Sequence, residues 1–309
     1  MISSFFKRSS VMSYLISIAL LAVAVYSQGE TEGNLVLITV QKSVALFLLS
    51  VCMLAVDWTV KQRYWATEAN YHLFLFPVFI FAFPVETWGN WLLLYLFFLW
   101  IAFSYLVAID QSGGRIKKVF NAFFFFYIGA LFFPQGIIIL PLLWTVLTIK
   151  GVLNVQSFFL SLVPIAALYL LEVSFVYFFP NSVLIPSVDF SNLDFYFPMK
   201  EEMRHNLWWG VMLLLSLFAV LKHYVDMSTR SASYGSGIVS LFIMTVTAIF
   251  FWVLFQTQTS FASVLFLMTV TALSTRLFEE IKRGWIRELL FFIIVGLLLV
   301  GKERFFFYG

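Results

Sequence analysis

Apolar residues run through this chain in long unbroken stretches. They follow neither the two-residue alternation of a half-buried strand nor the one-sided stripe of a soluble helix. The runs recur approximately as Val11 to Ser27, Leu35 to Val56, Tyr71 to Glu86, Trp88 to Ile109, Val119 to Phe133, Gln135 to Ile149, Gln156 to Phe179, Leu207 to Leu221, Gly237 to Phe255, Phe261 to Thr275, and Leu289 to Gly301. A helix needs ~20 residues to cross a ~30 Å hydrocarbon core, and most of these runs come near that length. They are too long and continuous for barrel strands, which alternate over about ten positions. The pattern predicts an all-α, polytopic helical membrane protein with 10–11 transmembrane helices, forming a single integral membrane domain over 1–309. The last run is the weakest, being short between Glu288 and Lys302.

The pair around Pro134 needs its own argument. Read as one kinked span, 119–149 would invert everything after it. Read as two segments, it leaves the later loops in place, with Phe133-Pro134-Gln135-Gly136 as a turn in which Pro breaks the helix and Gly permits the bend. The two segments are either short spans or a re-entrant hairpin.

Charge decides between these topologies. Hydrophobic residues make up 62% and charged residues 11% of 309 positions, against about a quarter charged in soluble domains. With the N-terminus cytoplasmic and two segments at 119–149, 14 of the 19 Lys and Arg residues fall inside; the inverted alternative places 11 there. The positive-inside rule selects the first. Lys7 and Arg8 before the run from Val11 then make that run a signal anchor in a bacterial inner membrane. The net charge of +3 is divided between loops and gives no case for nucleic acid.

Little chemistry is written in motifs. Cys52 is the only cysteine, which excludes an intrachain disulfide and a cysteine metal cluster. No nucleotide-binding, metal-ligand or triad spacing occurs, so neither cofactor nor metal is implied. The 39 Phe residues read chiefly as lipid-facing filler, with an aromatic-lined lipid groove as the functional alternative. His72 and His223 read as ordinary interfacial histidines at cytoplasmic span ends.

Acidic positions carry the remaining candidates. Glu172 lies within an apolar run, seven residues from its end at Phe179 and so roughly 10 Å below the helix end. An ionisable group at that depth usually faces a cavity or a partner, and it reads equally as a site or as a structural lock. The longest extracytoplasmic loop, 180–206, holds Asp189, Asp194, Arg204 and His205 among aromatics. Carboxylates for acid or base work, with Arg and His to bind phosphate, suit a transferase acting on a lipid-linked phosphate sugar; an amphipathic loop lying on the bilayer is the plainer reading. Glu30 and Glu32 read as solvated turn residues. Residues 276–288 space their charges as an interfacial amphipathic segment.

Three short stretches carry a resemblance. Met1-Ile2-Ser3-Ser4-Phe5-Phe6-Lys7, Lys118-Val119-Phe120-Asn121-Ala122 and Gly129-Ala130-Leu131-Phe132 resemble an uncharacterised family of multi-spanning Bacteroidota inner-membrane proteins of about this length. In that family the second stretch more often reads Lys-x-Phe-Asp-Ala-Gly; here Asn121 replaces the acid and Phe123 the glycine. The resemblance implies an address in the inner membrane and no mechanism.

Three functions follow from these readings. The first is a transferase or polymerase handling a lipid-linked envelope glycan precursor at the outer leaflet. The second is a non-catalytic membrane subunit or assembly factor, and the third is a proton- or cation-coupled transporter using Glu172. The partners expected are membrane lipids, a polyprenyl-phosphate-linked substrate or a membrane-protein partner, and no nucleic acid.

Overall fold

The computed structural model describes residues 6, 11–27, 35–62, 70–81, 89–110, 114–178, 203–227, 232–254, 259–281 and 283–306. Among them are eleven α-helices and no strand: α1 (Val11–Tyr26), α2 (Leu35–Gln62), α3 (Tyr71–Ile80), α4 (Asn90–Val107), α5 (Arg115–Phe132), α6 (Leu140–Ile149), α7 (Val155–Phe178), α8 (Met203–Met227), α9 (Ala232–Leu254), α10 (Thr259–Glu280) and α11 (Gly284–Phe306). Each falls on one of the eleven apolar runs, in order. Four of them, α2, α4, α7 and α10, are long and apolar enough to cross a membrane. The protein is an all-α polytopic helical membrane protein. Residues 276–288 divide between the end of α10 and the start of α11, and 180–202 lie outside the described residues.

The helices form two compact units, one of Met1–Gly89 with Phe195–Gly309 and one of Asn90–Asp194. In the first, α1 buries Ser13, Ser17, Leu21 and Ala24, while Val11, Met12, Leu15 and Val23 are exposed. Leu21 and Val25 apart, the buried side chains are small or polar and the exposed ones mostly large and apolar, as expected where the surroundings are as apolar as Leu and close packing drives association. α10 is the central helix of this unit, packing on α3, α8 and α9 and buried along nearly its whole described length. Its Thr residues permit that because they satisfy themselves: the Thr271 hydroxyl donates to Leu267 O (2.7 Å) and Thr275 to Thr271 O (2.8 Å).

α3 is unusual. All ten of its residues are buried, and at about 15 Å it covers only half a hydrocarbon core. It ends at Phe81, and its first turn lies inside the protein beside the last turns of α2 and the first turn of α11.

The second unit is knitted by aromatics between α4 and α5. Trp91 stacks on Phe132 (5.8 Å), Phe98 on Phe132 (5.8 Å) and on Phe125 (6.3 Å), and Tyr105 on Phe125 (5.7 Å). Phe123 and Phe126 are fully buried. The filler reading of phenylalanine therefore does not fit these α4–α5 residues, whose offset ring stacking lets flat side chains bridge helices where branched ones leave gaps, whereas Phe159 and Phe178 of α7 are exposed.

The chain breaks at Pro134 into a 3₁₀ turn, Pro134–Ile139, followed by α6. Gly136 has no left-handed backbone there; positive φ occurs at Gly114 and Gly151. Its need for glycine comes instead from Tyr95, whose ring occupies the place a Cβ would take and whose hydroxyl donates to Gly136 O at 2.7 Å. Turn and α6 together extend about 27 Å. At the far end Lys118 and Lys150 donate to Ala108 O (2.8 Å) and Val107 O (3.2 Å), the last carbonyls of α4. Lysines there oppose the negative end of that helix. Their common position puts the start of α5 and the end of α6 at one end of the unit, the geometry of two antiparallel segments and not of one kinked helix.

Candidate functional site

The densest polar cluster among the described residues lies at one end of the first unit, where α1, α2 and α3 meet. Asp57 and Lys61 stand one turn apart near the end of α2 and form an ion pair at 2.7 Å. Tyr14 of α1 donates to Asp57 Oδ2 (2.8 Å) and accepts from Lys61 Nζ (2.7 Å). From the first turn of α3, His72 Nε2 meets Asp57 Oδ1 at 2.5 Å. One carboxylate thus gathers three partners from three helices. The antiparallel course of α1 and α2 brings the first two together, and a hydrogen bond between Tyr26 and Ser43 (2.8 Å) ties the opposite end of the same hairpin.

Burial is graded across the cluster. The His72 side chain is fully enclosed, that of Asp57 is 10% exposed and that of Lys61 38%. The cluster therefore runs from solvent-accessible ammonium to enclosed imidazole through one carboxylate. In the neutral imidazole, Nε2–H donates to Asp57 and Nδ1 is left as an acceptor. That Nδ1 is buried and has no hydrogen-bond partner among the described residues. Glu279, at the end of α10, is near enough to interact electrostatically with His72.

His223 makes a useful contrast. It too is buried, on α8, where its Nε2 meets the backbone carbonyl of Leu273 at 3.3 Å. The expectation that both histidines are ordinary interfacial residues fails on burial, and His72 is in addition held by the Asp57 carboxylate.

The residues singled out from sequence divide between the two units and the segments outside the described residues. Glu172 lies on α7, partly buried, on a helix whose flanking Leu171 and Val173 are about half exposed. Asp189 and Asp194 lie outside the described residues, as do Glu30 and Glu32. Arg204 and His205 open α8, where only the backbone is described. The Asp57 cluster went unread because its members sit at span ends, where charges are normally solvated. The available signal was Asp57 and Lys61 at i and i+4 within the helical continuation of an apolar run, and His72 as second residue of a run otherwise apolar through Val85. Groups of three or more metal-ligating side chains do not occur among the described residues.

Cys52 is buried one turn and a half before Asp57. What the arrangement can do is pass protons: a carboxylate shared by an imidazole, an ammonium and a phenol is a chain of exchangeable sites. Searches of protein-family models, of curated proteins and of solved structures return no match to this chain.

Proposed function

We propose that this is a bacterial inner-membrane protein, N-terminus cytoplasmic, that couples proton movement to transport through Asp57 and His72. The observation that carries the reading is the His72 ring: fully buried, one nitrogen held on Asp57, the other without a partner among the described residues. A purely structural staple has no use for an unsatisfied ring nitrogen, whose burial costs roughly 1–3 kcal/mol. A proton carrier needs a vacant acceptor. Lys61 provides the solvent-facing side and Tyr14 a hydroxyl that both donates and accepts. The short, enclosed α3 fits the discontinuous helices on which transporters build their sites. On the positive-inside topology this end is cytoplasmic, since Lys61 belongs to the inner basic set.

Proteoliposomes loaded with a pH indicator test this reading. Addition of a small-molecule cell extract under an inward pH gradient drives proton entry with the wild type, and His72→Asn and Asp57→Asn abolish it. Absence of extract-dependent entry, or entry unchanged in both variants, contradicts the proposal.

A second reading keeps the lipid-linked envelope glycan precursor as substrate at the outer leaflet. It is favoured by Glu172, a partly buried carboxylate on a helix of which only 12% is covered by protein. A substrate diffusing in the lipid phase reaches such a group without entering a cavity. Glu172→Gln abolishes turnover under that reading and leaves proton entry untouched under the first.

A further inference from the structure

Polar atoms without partners collect around the first turn of α3. Asn70 occupies the N-cap position and is fully buried, yet it makes no capping bond, and both its Nδ2 and Oδ1 lack a hydrogen-bond partner among the described residues. Asn is favoured at N-caps because its side chain normally takes a first-turn amide; here that bond is forgone. The Tyr71 hydroxyl and Arg287 Nε are likewise buried without partners. Arg287 comes from the first turn of α11, its guanidinium carbon 5.1 Å from the Tyr71 ring centre.

This neighbourhood is held rigidly. Phe291, one turn beyond Arg287, packs against Phe74 (4.8 Å), Tyr71 (5.7 Å) and Phe278 (4.7 Å), and the Asn70 backbone N–H donates to Phe6 O at 2.7 Å. Native interiors leave few buried polar groups unpaired. Four such atoms on Asn70, Tyr71 and Arg287, beside the free Nδ1 of His72, call for a ligand that satisfies them together.

The donor set identifies its class. Arg287 Nε–H, Asn70 Nδ2–H and Tyr71 O–H are all donors, and the N-terminus of α3 adds the positive end of the helix dipole. Glu279 and Glu288 also act electrostatically on Tyr71, so the local charge is mixed in sign and directed donors, not net charge, must select the ligand. The acceptor among the unpaired atoms, Asn70 Oδ1, suits an anion that itself carries an O–H. Inorganic phosphate has one near neutral pH and a phosphomonoester keeps one in its monoanion, with a second pKa of about 6; sulfate does not.

We infer that Asn70, Tyr71 and Arg287 form a binding site for a phosphate group bearing a P–OH, adjacent to the His72 proton site. The inference rests on the proton-coupled reading and names the substrate class of that site. The phosphate comes either from a soluble anion or from the head group of a phosphomonoester lipid at the membrane surface.

Calorimetric titration of the purified full-length protein in detergent separates these sources. The probes are inorganic phosphate, sulfate and a short-chain phosphatidic acid. Saturable binding of inorganic phosphate identifies a soluble ligand; binding of phosphatidic acid alone identifies a lipid head group. In either case Arg287→Gln and Asn70→Ala each weaken binding about tenfold or more, at unchanged melting temperature. Tyr71→Phe, which keeps the ring under Arg287, serves as the variant least disturbing to packing and also weakens binding. No binding of either phosphate probe, equal binding of sulfate, or binding unchanged in all three variants overturns the inference. The two proposals fail separately: proton entry lost in His72→Asn without phosphate binding removes only the site, and phosphate binding with proton entry indifferent to His72→Asn removes only the proton pathway.

Discussion

Replacing Asp57 by Ala removes the one group that His72, Lys61 and Tyr14 share, and the structure sets the size of the effect. His72 is fully enclosed, so its Nε2 is stranded without water or partner, at roughly 1–3 kcal/mol for the unsatisfied donor. The lost charge-assisted bond adds about 1.5–3 kcal/mol. Lys61 contributes little, about 0–1 kcal/mol, because its side chain is 38% exposed and still reaches the Tyr14 hydroxyl. The expected loss is therefore about 3–5 kcal/mol, the range for breaking a buried pair from one side. Tyr14→Phe leaves every other member paired and costs about 1 kcal/mol. His72→Phe alone leaves Asp57 with two partners, and combining it with Asp57→Ala removes the stranded imidazole. The double variant should thus be more stable than the sum of single losses by roughly 1–3 kcal/mol. Reversible unfolding in mixed micelles, titrated with a denaturing detergent, measures all four corners of the cycle. Additive losses, or an Asp57→Ala cost no greater than that of Tyr14→Phe, would refute the reasoning.

Other expectations follow from the same structure. Gly136→Ala drives a Cβ into the Tyr95 ring and costs about 1–3 kcal/mol in the same unfolding assay, whereas Tyr95→Phe costs about 1 kcal/mol through the lost bond to Gly136 O. A cysteine placed at position 150 is labelled by a membrane-impermeant maleimide from the same side as one placed at 117, because Lys118 and Lys150 cap the same end of α4; labelling from opposite sides contradicts the hairpin. Cys52 is fully buried and its side chain reacts with maleimide only after unfolding, so it gives no background in that experiment. Glu172→Gln leaves extract-driven proton entry unchanged, and its loss would transfer the proton site to α7.

The course of the helices was legible because insertion into a membrane is written in apolar run length, and each of the eleven runs holds one helix. The break at Pro134 was legible for the same reason that Pro lacks an N–H and obstructs the preceding turn. The cause of Gly136 was not. Sequence offers backbone freedom as the default explanation of a glycine, but the close approach of Tyr95, 41 residues away, depends on tertiary packing. The stacked α4–α5 aromatics were hidden likewise, because a phenylalanine facing lipid and one facing a helix look alike in a run that is apolar all round. The Asp57 cluster combines residues 14, 57, 61 and 72, each unremarkable at a span end. Only the enclosure of α3 turns His72 from a solvated end into a buried base. The outer acids were visible in sequence for the opposite reason, since carboxylates in and near apolar runs stand out whether or not the fold assembles them.

The claim at the centre of this account is that His72 exchanges protons while held by Asp57. Only three histidines occur in the chain, His72, His205 and His223, so ¹⁵N-histidine NMR of the protein in lipid can be assigned with single substitutions. The account predicts that the His72 ring nitrogens shift on acidification, and that Asp57→Asn moves the midpoint. A His72 signal constant on acidification, or one indifferent to Asp57→Asn, contradicts it.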